Sequence, residues 1–473
     1  MTIDTSVSLQ HKLQLEACGM QDNPRGGPNL AERLERLKAY DVAWRNLDWT
    51  GHDNYPSFSG SFTPIAVSQD VVAFPVDNPQ VVFKQFPSQL RGIEGQEWSI
   101  PLKDVIDIGV DASQDLVVFV TQSLSDVRWC HILLRSLATG EAHPLACAQD
   151  RIIKLGYARQ GVDIYGDFLC VRLDGDLNDP LPHTANISVW NWKIGTIQLD
   201  MSSLFYTTAM PNPRFLDAKH IVTIVPSADG DGPLRLVVLS FRSKLQTPPA
   251  YIFILPDFLT LDFLGNLSMT SSPPSGHPSG DLASGCVYHN PEDRLLSITF
   301  GLRFAFASPA ATEIVIDVPT RTLLSYMQNN PVGTVPWMHW GPSGSRISVA
   351  PMGISAHCTP YSINGMRRVQ LSPTLRNGSP VITVYDYHPR RVARAIASQG
   401  TGEYVREVVG YGDVVDESLT AGHGALKTLP YLVKEIPLQD GQLLQYPFDN
   451  IWNIEVVISE DGVILMDVSL VRS

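Results

Sequence analysis

Short apolar strands separated by turns dominate the chain beyond residue 55. VVFV at 117–120, FLCVRL at 168–173 and LLSITFG at 295–301 are rich in β-branched and aromatic residues, and Gly, Pro, Asn or Asp lie around them. A strand end, a tight turn and the next strand are predicted at 136–145, 191–200, 240–249, 317–326 and 386–395. These units begin 49 to 77 residues apart, so the pattern predicts a degenerate repeat with about four strands per unit.

Repeats of this kind are typical of β-propeller blades. ISVWNWKIGTIQL at 187–199 resembles a WD-repeat blade, with Trp190 where that family ends its third strand. Two partial units flank the series, one near residue 80 and one at 455–469, where Asp461-Gly462 supplies the turn. The sequence therefore predicts a mainly β, WD-like β-propeller of six to eight blades, about seven, over 51–473. A pair of β-sandwiches or a β-solenoid is the alternative.

The stretch NLAERLERLKAYDVAWRNLDW at 29–49 follows a helical period instead. Leu30, Leu34, Leu37 and Trp44 lie on one predicted face, which we expect to pack on the propeller. The opposite face is predicted to carry Glu32, Arg33, Glu35, Arg36 and Lys38. Asn29 is the predicted N-cap, and Glu32 and Arg36 form an i, i+4 pair. A short N-terminal α-helical segment, residues 1–50, is therefore expected before the propeller.

Composition narrows the possible partners. The 473-residue chain is 44% hydrophobic and 18% charged, and its formal net charge of −13 gives no electrostatic footprint for nucleic acid or an anionic membrane. No signal peptide or run of apolar residues long enough for a membrane helix is recognised. The six cysteines show no zinc spacing, and we expect them to be reduced and mostly buried in an intracellular, cytoplasmic or nuclear, protein. A protein partner is the expectation.

Candidate chemistry is sparse. DGDLND at 174–179 begins like a calcium loop, but Asp179 replaces the required Gly and Ala185 replaces the bidentate Glu. Four carboxylates lie close together in the sequence, those of Asp104, Asp107, Asp111 and Asp115. They could pair for acid-base catalysis only if burial separated their pKa values. The preferred interpretation is a solvated strand edge or turn.

Three further stretches receive structural interpretations. GISAH at 353–357 ends in His where a nucleophile elbow needs Gly, so Ser355 is rejected as a nucleophile. The three arginines of the PRRVAR run are interpreted as a solvated hairpin corner; they are Arg390, Arg391 and Arg394. Residues 266–285 are rich in Ser, Pro and Gly and are predicted to form a mobile surface loop. The sequence predicts no catalytic residue, cofactor or metal site, and it identifies no binding residue.

The first fifty residues resemble the segment that follows the F-box in the F-box proteins of mushroom-forming fungi. The matching residues are Leu9, Gln10, Lys12, Leu13, Leu15, Glu16, Ala17 and Gly19, then Ala31, Glu32, Arg33, Leu34, Leu37, Ala43, Trp44, Arg45, Leu47 and Trp49. WNWKIGT and YDYHPRRV are similar to hairpins of the divergent propeller that follows in that family.

The resemblance implies a non-catalytic interaction module, the substrate receptor of a cullin-RING ubiquitin ligase. An F-box should precede Leu9, where this chain has eight residues, so the F-box is expected to be missing and adaptor binding is not expected from the chain itself. The alternatives are a propeller enzyme with a site in the central channel and an incomplete F-box protein that does not recruit a ligase.

Overall fold

The protein was analysed as a computed structural model, which describes most of the chain. The described residues are 6–23, 28–46, 66–76, 79–122, 129–147, 150–154, 161–174, 185–205, 213–227, 232–243, 250–257, 264–272, 287–290, 292–302, 312–351, 362–376, 379–398, 429–437, 454–459 and 461–467. Within them the chain is mainly β and contains five α-helices.

Six sheets, here called blades 1 to 6, account for most of the described residues. Each has four antiparallel strands, and the sheet of blade 4 has a fifth, parallel strand at its edge. Blade 1 contains β2 (Ala66–Ser68), β3 (Val71–Val76), β4 (Gln80–Gln85) and β5 (Gln96–Pro101), and blade 2 contains β6 (Val105–Asp111), β7 (Leu116–Gln122), β8 (Trp129–Ser136) and β9 (Asp150–Lys154). Blade 3 contains β10 (Gly161–Tyr165), β11 (Phe168–Asp174), β12 (Ala185–Asn191) and β13 (Thr196–Phe205), and blade 4 contains β14 (Arg214–Phe215), β15 (His220–Val225), β16 (Arg235–Ser240) and β17 (Ala250–Ile254).

The last two blades carry additional elements between their strands. Blade 5 contains β18 (Leu264–Ser271), β20 (Leu295–Leu302), β21 (Thr312–Pro319) and β23 (Arg346–Pro351), and blade 6 contains β24 (Ile363–Asn364), β25 (Arg367–Arg376), β26 (Ser379–Asp386) and β27 (Leu432–Pro437). A two-stranded sheet of β28 (Ile454–Ile458) and β29 (Val463–Asp467) follows. In its turn, the Gly462 amide donates a hydrogen bond to the Ser459 hydroxyl. The hairpin predicted at 455–469 is therefore confirmed.

The blades form a ring through their first strands. β2 contacts β6, which contacts β10, and the series continues through β14, β18 and β24 to β28. The β28–β29 turn then reaches blade 1, where Arg91 forms ion pairs with both Asp70 and Asp461. Sheets arranged in this way around a channel form a β-propeller, so the predicted fold is confirmed. Seven four-stranded blades are not confirmed, because the described residues form six and a two-stranded sheet.

Strands A to D name the four strands of each blade from the channel outward. Because neighbouring strands are antiparallel, every A–B and C–D connection opens on the same face of the ring. The C–D connection of blade 5 contains α3 (Thr320–Asn329), β22 (Thr334–Val335) and α4 (Trp337–Gly344), and that of blade 6 contains α5 (Pro389–Ser398). The hairpins predicted at 317–326 and 386–395 are therefore wrong, since helices follow the strand ends there.

The insertion in blade 5 covers the outer edge of blade 4. β22 pairs in parallel with β17, and the Trp340 ring contacts Phe253 edge-to-face with centroids 5.5 Å apart. Tyr251 donates its hydroxyl hydrogen bond to the Met327 carbonyl at 3.0 Å. An open strand edge can pair with another chain, and this contact closes the edge of blade 4.

The N-terminal helices pack on the propeller. α1 (Val7–Cys18) ends at Gly19, and β1 (Met20–Asp22) pairs with β19 (Val287–His289) in the A–B connection of blade 5. α2 (Leu30–Asn46) follows, with Asn29 accepting a hydrogen bond from the Glu32 amide as predicted. A shared apolar cluster, here called the junction core, consists of Leu15, Cys18, Met20, Leu37, Tyr40, Trp44, Leu90, Val287, Val369, Leu371, Ile382, Val384, Val456 and Ile458. It joins both helices to blade 6, to β28 and to blade 1.

Two details of the predicted helix are wrong. Leu30 is exposed, although Leu34, Leu37 and Trp44 are buried as expected. Arg33 is buried and not on a solvated face, because its guanidinium reaches the Asp22 carboxylate at 2.9 Å and the Pro28 carbonyl at 2.8 Å. The charge of Arg33 alone predicts a surface position. Hydrogen-bond acceptors on the segment before α2 compensate the guanidinium and so allow its burial.

The predicted loop at 266–285 is also corrected in part. Residues 266–271 belong to β18, where Met269 is buried and pairs with Ile298. Residues 273–285 lie outside the described part of the chain.

Candidate interaction surface

A network of buried charges lies between the helices and blade 6. Arg367 donates to the Tyr40 hydroxyl at 3.0 Å, and its guanidinium lies 4.2 Å from the centroid of the Trp44 ring. Arg367 and Arg391 both donate to Asp386, at 3.2 and 3.0 Å. Burial alone would raise the pKa of Asp386, but these two guanidinium groups lower it to about 2. The carboxylate is therefore ionised and paired at neutral pH.

The arginines of α5 connect this network to the helices. Arg394 contacts the buried carboxylate of Asp41 at 3.2 Å, and Arg391 lies 3.9 Å from the same group. Arg390 pairs with Glu16 of α1. The predicted hairpin corner is wrong, because these three arginines lie on a helix. Arg390 and Arg394 are exposed as expected, but they pair with acidic groups contributed from more than 340 residues earlier in the chain. The Arg391 side chain is largely buried.

Two histidines close a small cleft beside the network. The His388 ring packs on Gly19, where a Cβ atom would lie 2.9 Å from the imidazole, and His289 faces Gly365. Burial lowers the pKa of His289 to about 3 and that of His388 to about 4, so both rings are neutral at pH 7. The free space in the cleft is about 10 Å³, which is room for about one water molecule. This is too little for a substrate.

Carboxylates on the innermost strands connect neighbouring blades. Asp107 of blade 2 accepts a hydrogen bond from the Val162 amide of blade 3 at 2.8 Å, and Asp163 of blade 3 accepts one from the Phe215 amide of blade 4 at 2.8 Å. Burial raises the pKa of Asp107 to about 7. The interpretation of this segment as a solvated strand edge or turn is therefore wrong for Asp107, which is half-buried and bonded across the contact between blades 2 and 3.

The other three carboxylates of that segment have separate environments. Asp111 is buried and caps a 3-10 turn by accepting from the Ser113 amide, and burial raises its pKa. Asp104 is exposed, as expected for a turn, and Asp115 accepts from the Ala138 amide at 2.8 Å. These contacts hold turns and blades together and do not converge on one point.

Exposed apolar side chains follow the C–D connections. The structure describes six large apolar side chains of the propeller that are exposed, and each lies in a C–D connection or at the start of the strand that follows. These residues, here called the apolar rim, are Leu145, Ile194, Ile197, Val332, Met338 and Ile396. Because C–D connections share one face, the rim lies along the periphery of that face.

A small space of about 20 Å³ lies between blades 2 and 3. It is lined by Ile132, Leu134, Leu169, Trp190, Asn191, Trp192 and Gly195, and the large apolar side chains among them belong to the buried core. The Trp192 indole donates to the Gly166 carbonyl at 2.9 Å, and its ring meets His143 edge-to-face with centroids 5.0 Å apart. Both blades therefore enclose this space, which is too small for a ligand. Trp190 is at the end of the third strand of blade 3, as the WD resemblance predicts.

Sequence reasoning predicted no binding residues and missed this surface. The detectable signal is a pair of isoleucines at the WKIGT turn, Ile194 within it and Ile197 directly after it, on either side of Gly195 at φ +74°. In the sequence, these apolar residues were interpreted only as part of the turn of a WD-like repeat.

Other candidate residues give limited results. Ser355 and the residues 175–184 that follow Asp174 lie outside the described part of the chain. Cys18, Cys130 and Cys170 are buried free thiols as predicted, whereas Cys147 is exposed. Within the described ranges, no group of three or more His, Cys, Asp or Glu side chains could hold a metal ion. No helix in the same ranges has the length and apolar character needed to cross a membrane.

Comparisons with known proteins show similarity of fold only. No protein family matches the sequence, and no curated protein matches it significantly. An uncharacterized protein, lmo1340, from Listeria monocytogenes is 6% identical, with a TM-score of 0.39 over 71% of this chain and 82% of its own. The WD40 domain of SCAP from fission yeast is 8% identical, with a TM-score of 0.36 over 87% and 96%. The RRP9 WD40 repeats are 10% identical, with a TM-score of 0.34 over 72% and 79%.

Proposed function

We propose that this chain is a non-catalytic protein-interaction module that acts as the substrate receptor of a cullin-RING ubiquitin ligase. The observation that carries the proposal is the ionic contact between α2 and blade 6, in which the buried Asp41 carboxylate meets Arg391 and the half-exposed Arg394. This contact holds the N-terminal helices against the propeller. A receptor needs such a connector, because the bound target must be held at a fixed position relative to the ligase.

The resemblance of 9–49 to the post-F-box helices of fungal F-box proteins supports the same proposal. In that family, a module ahead of the helices recruits the ligase adaptor and the propeller holds the target. The proposed partner is therefore an intracellular protein bound by the propeller. Recruitment of the adaptor would require an F-box upstream of Leu9.

A fusion experiment tests this function. An F-box from a characterised receptor is placed before Met1, and the fusion is assayed for adaptor binding and for ubiquitination of proteins retained by the propeller in a reconstituted reaction. We expect the fusion to bind the adaptor and to support modification of a retained protein, and the chain without the F-box to retain that protein unmodified. A fusion that binds the adaptor but supports no modification of any retained protein would contradict the proposal.

The enzyme alternative has one candidate group, Asp107, whose pKa burial raises to about 7. Both carboxylate oxygens of Asp107 already accept backbone hydrogen bonds, from the Ile108 and Val162 amides. The contacts of Asp107 therefore favour a structural role between blades 2 and 3.

A further inference from the structure

Three arginines surround one buried carboxylate where α2 meets α5. The Asp41 side chain is 7% exposed, and its Oδ2 atom accepts from Arg45 Nη2 at 2.5 Å and from Arg394 Nη1 at 3.2 Å. Arg391 Nη2 lies 3.9 Å from the Oδ1 atom of the same carboxylate. One carboxylate cannot neutralise three guanidinium groups, so this contact carries an excess of positive charge.

The other ion pairs of the junction do not cancel this excess. Asp386 is shared by two arginines, and Glu16 has one. Within the described residues, these connected ion pairs contain five guanidinium groups and three carboxylates. The groups are those of Arg45, Arg367, Arg390, Arg391 and Arg394, and those of Glu16, Asp41 and Asp386. A basic site therefore lies on a chain whose formal net charge is −13.

Two of these arginines, Arg45 and Arg394, here called the arginine pair, reach solvent side by side. Their side chains are 46% and 47% exposed, and both guanidinium groups contact the same carboxylate oxygen. Within the described part of the chain, neither has a second hydrogen-bond or ion-pair partner. Because a guanidinium has five N–H donors, most donors of the arginine pair remain available. Val42, one turn before Arg45 on α2, is an exposed apolar neighbour.

A second carboxylate, supplied by another molecule, fits the arginine pair. Guanidinium groups hold carboxylates through parallel, charge-assisted hydrogen bonds, and the added negative charge would relieve the repulsion between the two cations. The size of the ligand follows from screening. Charges farther away than about 8 Å are largely screened at physiological salt, so a short acidic segment experiences mainly the local excess. A long polyanion or an anionic membrane would meet the acidic remainder of the surface.

We infer that the arginine pair binds an acidic protein segment, with an Asp or Glu carboxylate held between the Arg45 and Arg394 guanidinium groups and an apolar neighbour against Val42. This inference rests on the proposed interaction function. It assigns to that function a partner of stated charge and a surface where the N-terminal helices meet blade 6.

Fluorescence anisotropy with labelled peptides and the full chain tests the inference. Short peptides alternate Asp or Glu with Leu or Val, and matched sets replace every acidic residue by its amide or by Lys. We expect micromolar binding by the acidic set, at least about tenfold weaker binding by each matched set, and weaker binding of the acidic set as salt is raised. Arg45→Gln and Arg394→Gln should each weaken binding about tenfold.

Two further variants separate binding from folding. Each glutamine variant leaves Asp41 with two arginines, and urea unfolding checks that it is folded. Arg45→Lys keeps the charge beside Asp41 but loses the planar fork, so it should weaken binding about threefold even if the glutamine variants unfold. The matched control is Arg321→Gln, because Arg321 is a half-exposed helix arginine that faces one carboxylate, Asp293. It should change affinity less than about twofold.

Preference for the amide or lysine set, no binding by any acidic peptide, or unchanged affinity in the double variant Arg45→Gln, Arg394→Gln would overturn the inference. So would Arg394-dependent binding to phosphatidylserine vesicles or RNA without binding of acidic peptides, or Arg394-dependent dimerisation in light scattering. If acidic peptides fail to bind, or bind the double variant equally, while the F-box fusion still supports modification of a retained protein, the interaction function stands and only this surface is wrong.

Discussion

Removing the Asp317 carboxylate should destabilise the contact between blades 5 and 6 more than any surface change. Asp317 on β21 accepts hydrogen bonds from Arg368 Nε at 2.9 Å and from the Tyr387 hydroxyl at 2.5 Å. Neither charged side chain has measurable exposure to solvent. The Asp317→Asn variant keeps the shape but leaves the Arg368 cation without its counter-charge, which costs about 3 to 5 kcal/mol in a buried site.

Urea unfolding of the wild type and Asp317→Asn measures this loss, and a double variant identifies its cause. Asp317→Leu combined with Arg368→Met removes both charges, so it should recover most of the lost stability. The matched surface control is Glu35→Gln, because the Lys38–Glu35 pair is exposed and should contribute less than about 1 kcal/mol. A loss below about 1 kcal/mol for Asp317→Asn would refute the electrostatic reasoning, as would a double variant less stable than the single one.

Three further predictions concern the junction core and the inter-blade contacts. Leu37→Ala should lower the free energy of unfolding, measured by urea titration, by about 2 to 5 kcal/mol because Leu37 is fully buried. The control Leu13→Ala changes a half-exposed site on α1 and should lower the free energy of unfolding by less than about 1 kcal/mol. Gly19→Ala should lower the unfolding temperature, since Gly19 has φ +68° and its new Cβ would meet the His388 ring; an unchanged temperature would contradict this packing. The raised pKa of Asp107 contributes stability below about pH 4, and this stability is lost as pH rises towards 7. The Asp107→Asn variant should therefore gain stability relative to the wild type across that pH window. A stability difference independent of pH would show that Asp107 is not desolvated.

Local chemistry explains which parts of the fold were predictable. The turn at 191–200 was recognised because Gly195 supplies a positive φ and Asn191 accepts the Lys193 amide, both within the hairpin itself. The Asp461-Gly462 turn is also set locally, because the Gly462 amide donates to the Ser459 hydroxyl within the hairpin. Strand and turn signals of this kind act over a few residues, so the propeller fold was accessible from the sequence.

Long-range contacts explain the errors. Residues 389–398 form a helix whose Val392 and Ala395 pack against Leu432, with Arg391 buried between Asp386 and Asp41. Asp41 and Leu432 lie far away in sequence, so the PRRVAR run suggested only a solvated turn. Asp107 was misread for the same reason, because its burial depends on stacking against Val162 of the next blade.

The blade count and the rim required the three-dimensional arrangement. Nothing in EVVISEDGVILMDVS distinguishes a two-stranded sheet from part of a full blade. Contacts of Asp461 with Arg91, Ser88 and Asp70 place it beside blade 1. Leu145 and Ile194 are 49 positions apart in the chain, and their equivalence follows from the antiparallel order of two separate blades.

Hydrogen exchange on the intact chain tests most directly whether the N-terminal helices and the propeller form one unit. The buried contacts of Leu37, Tyr40 and Asp41 predict that amides of α2 are protected to a similar degree as those of β25 and β26. Leu37→Asp should reduce protection in α2 and β28 together. Exchange of α2 at the rate of an unfolded segment, with β25 and β26 still protected, would contradict the account.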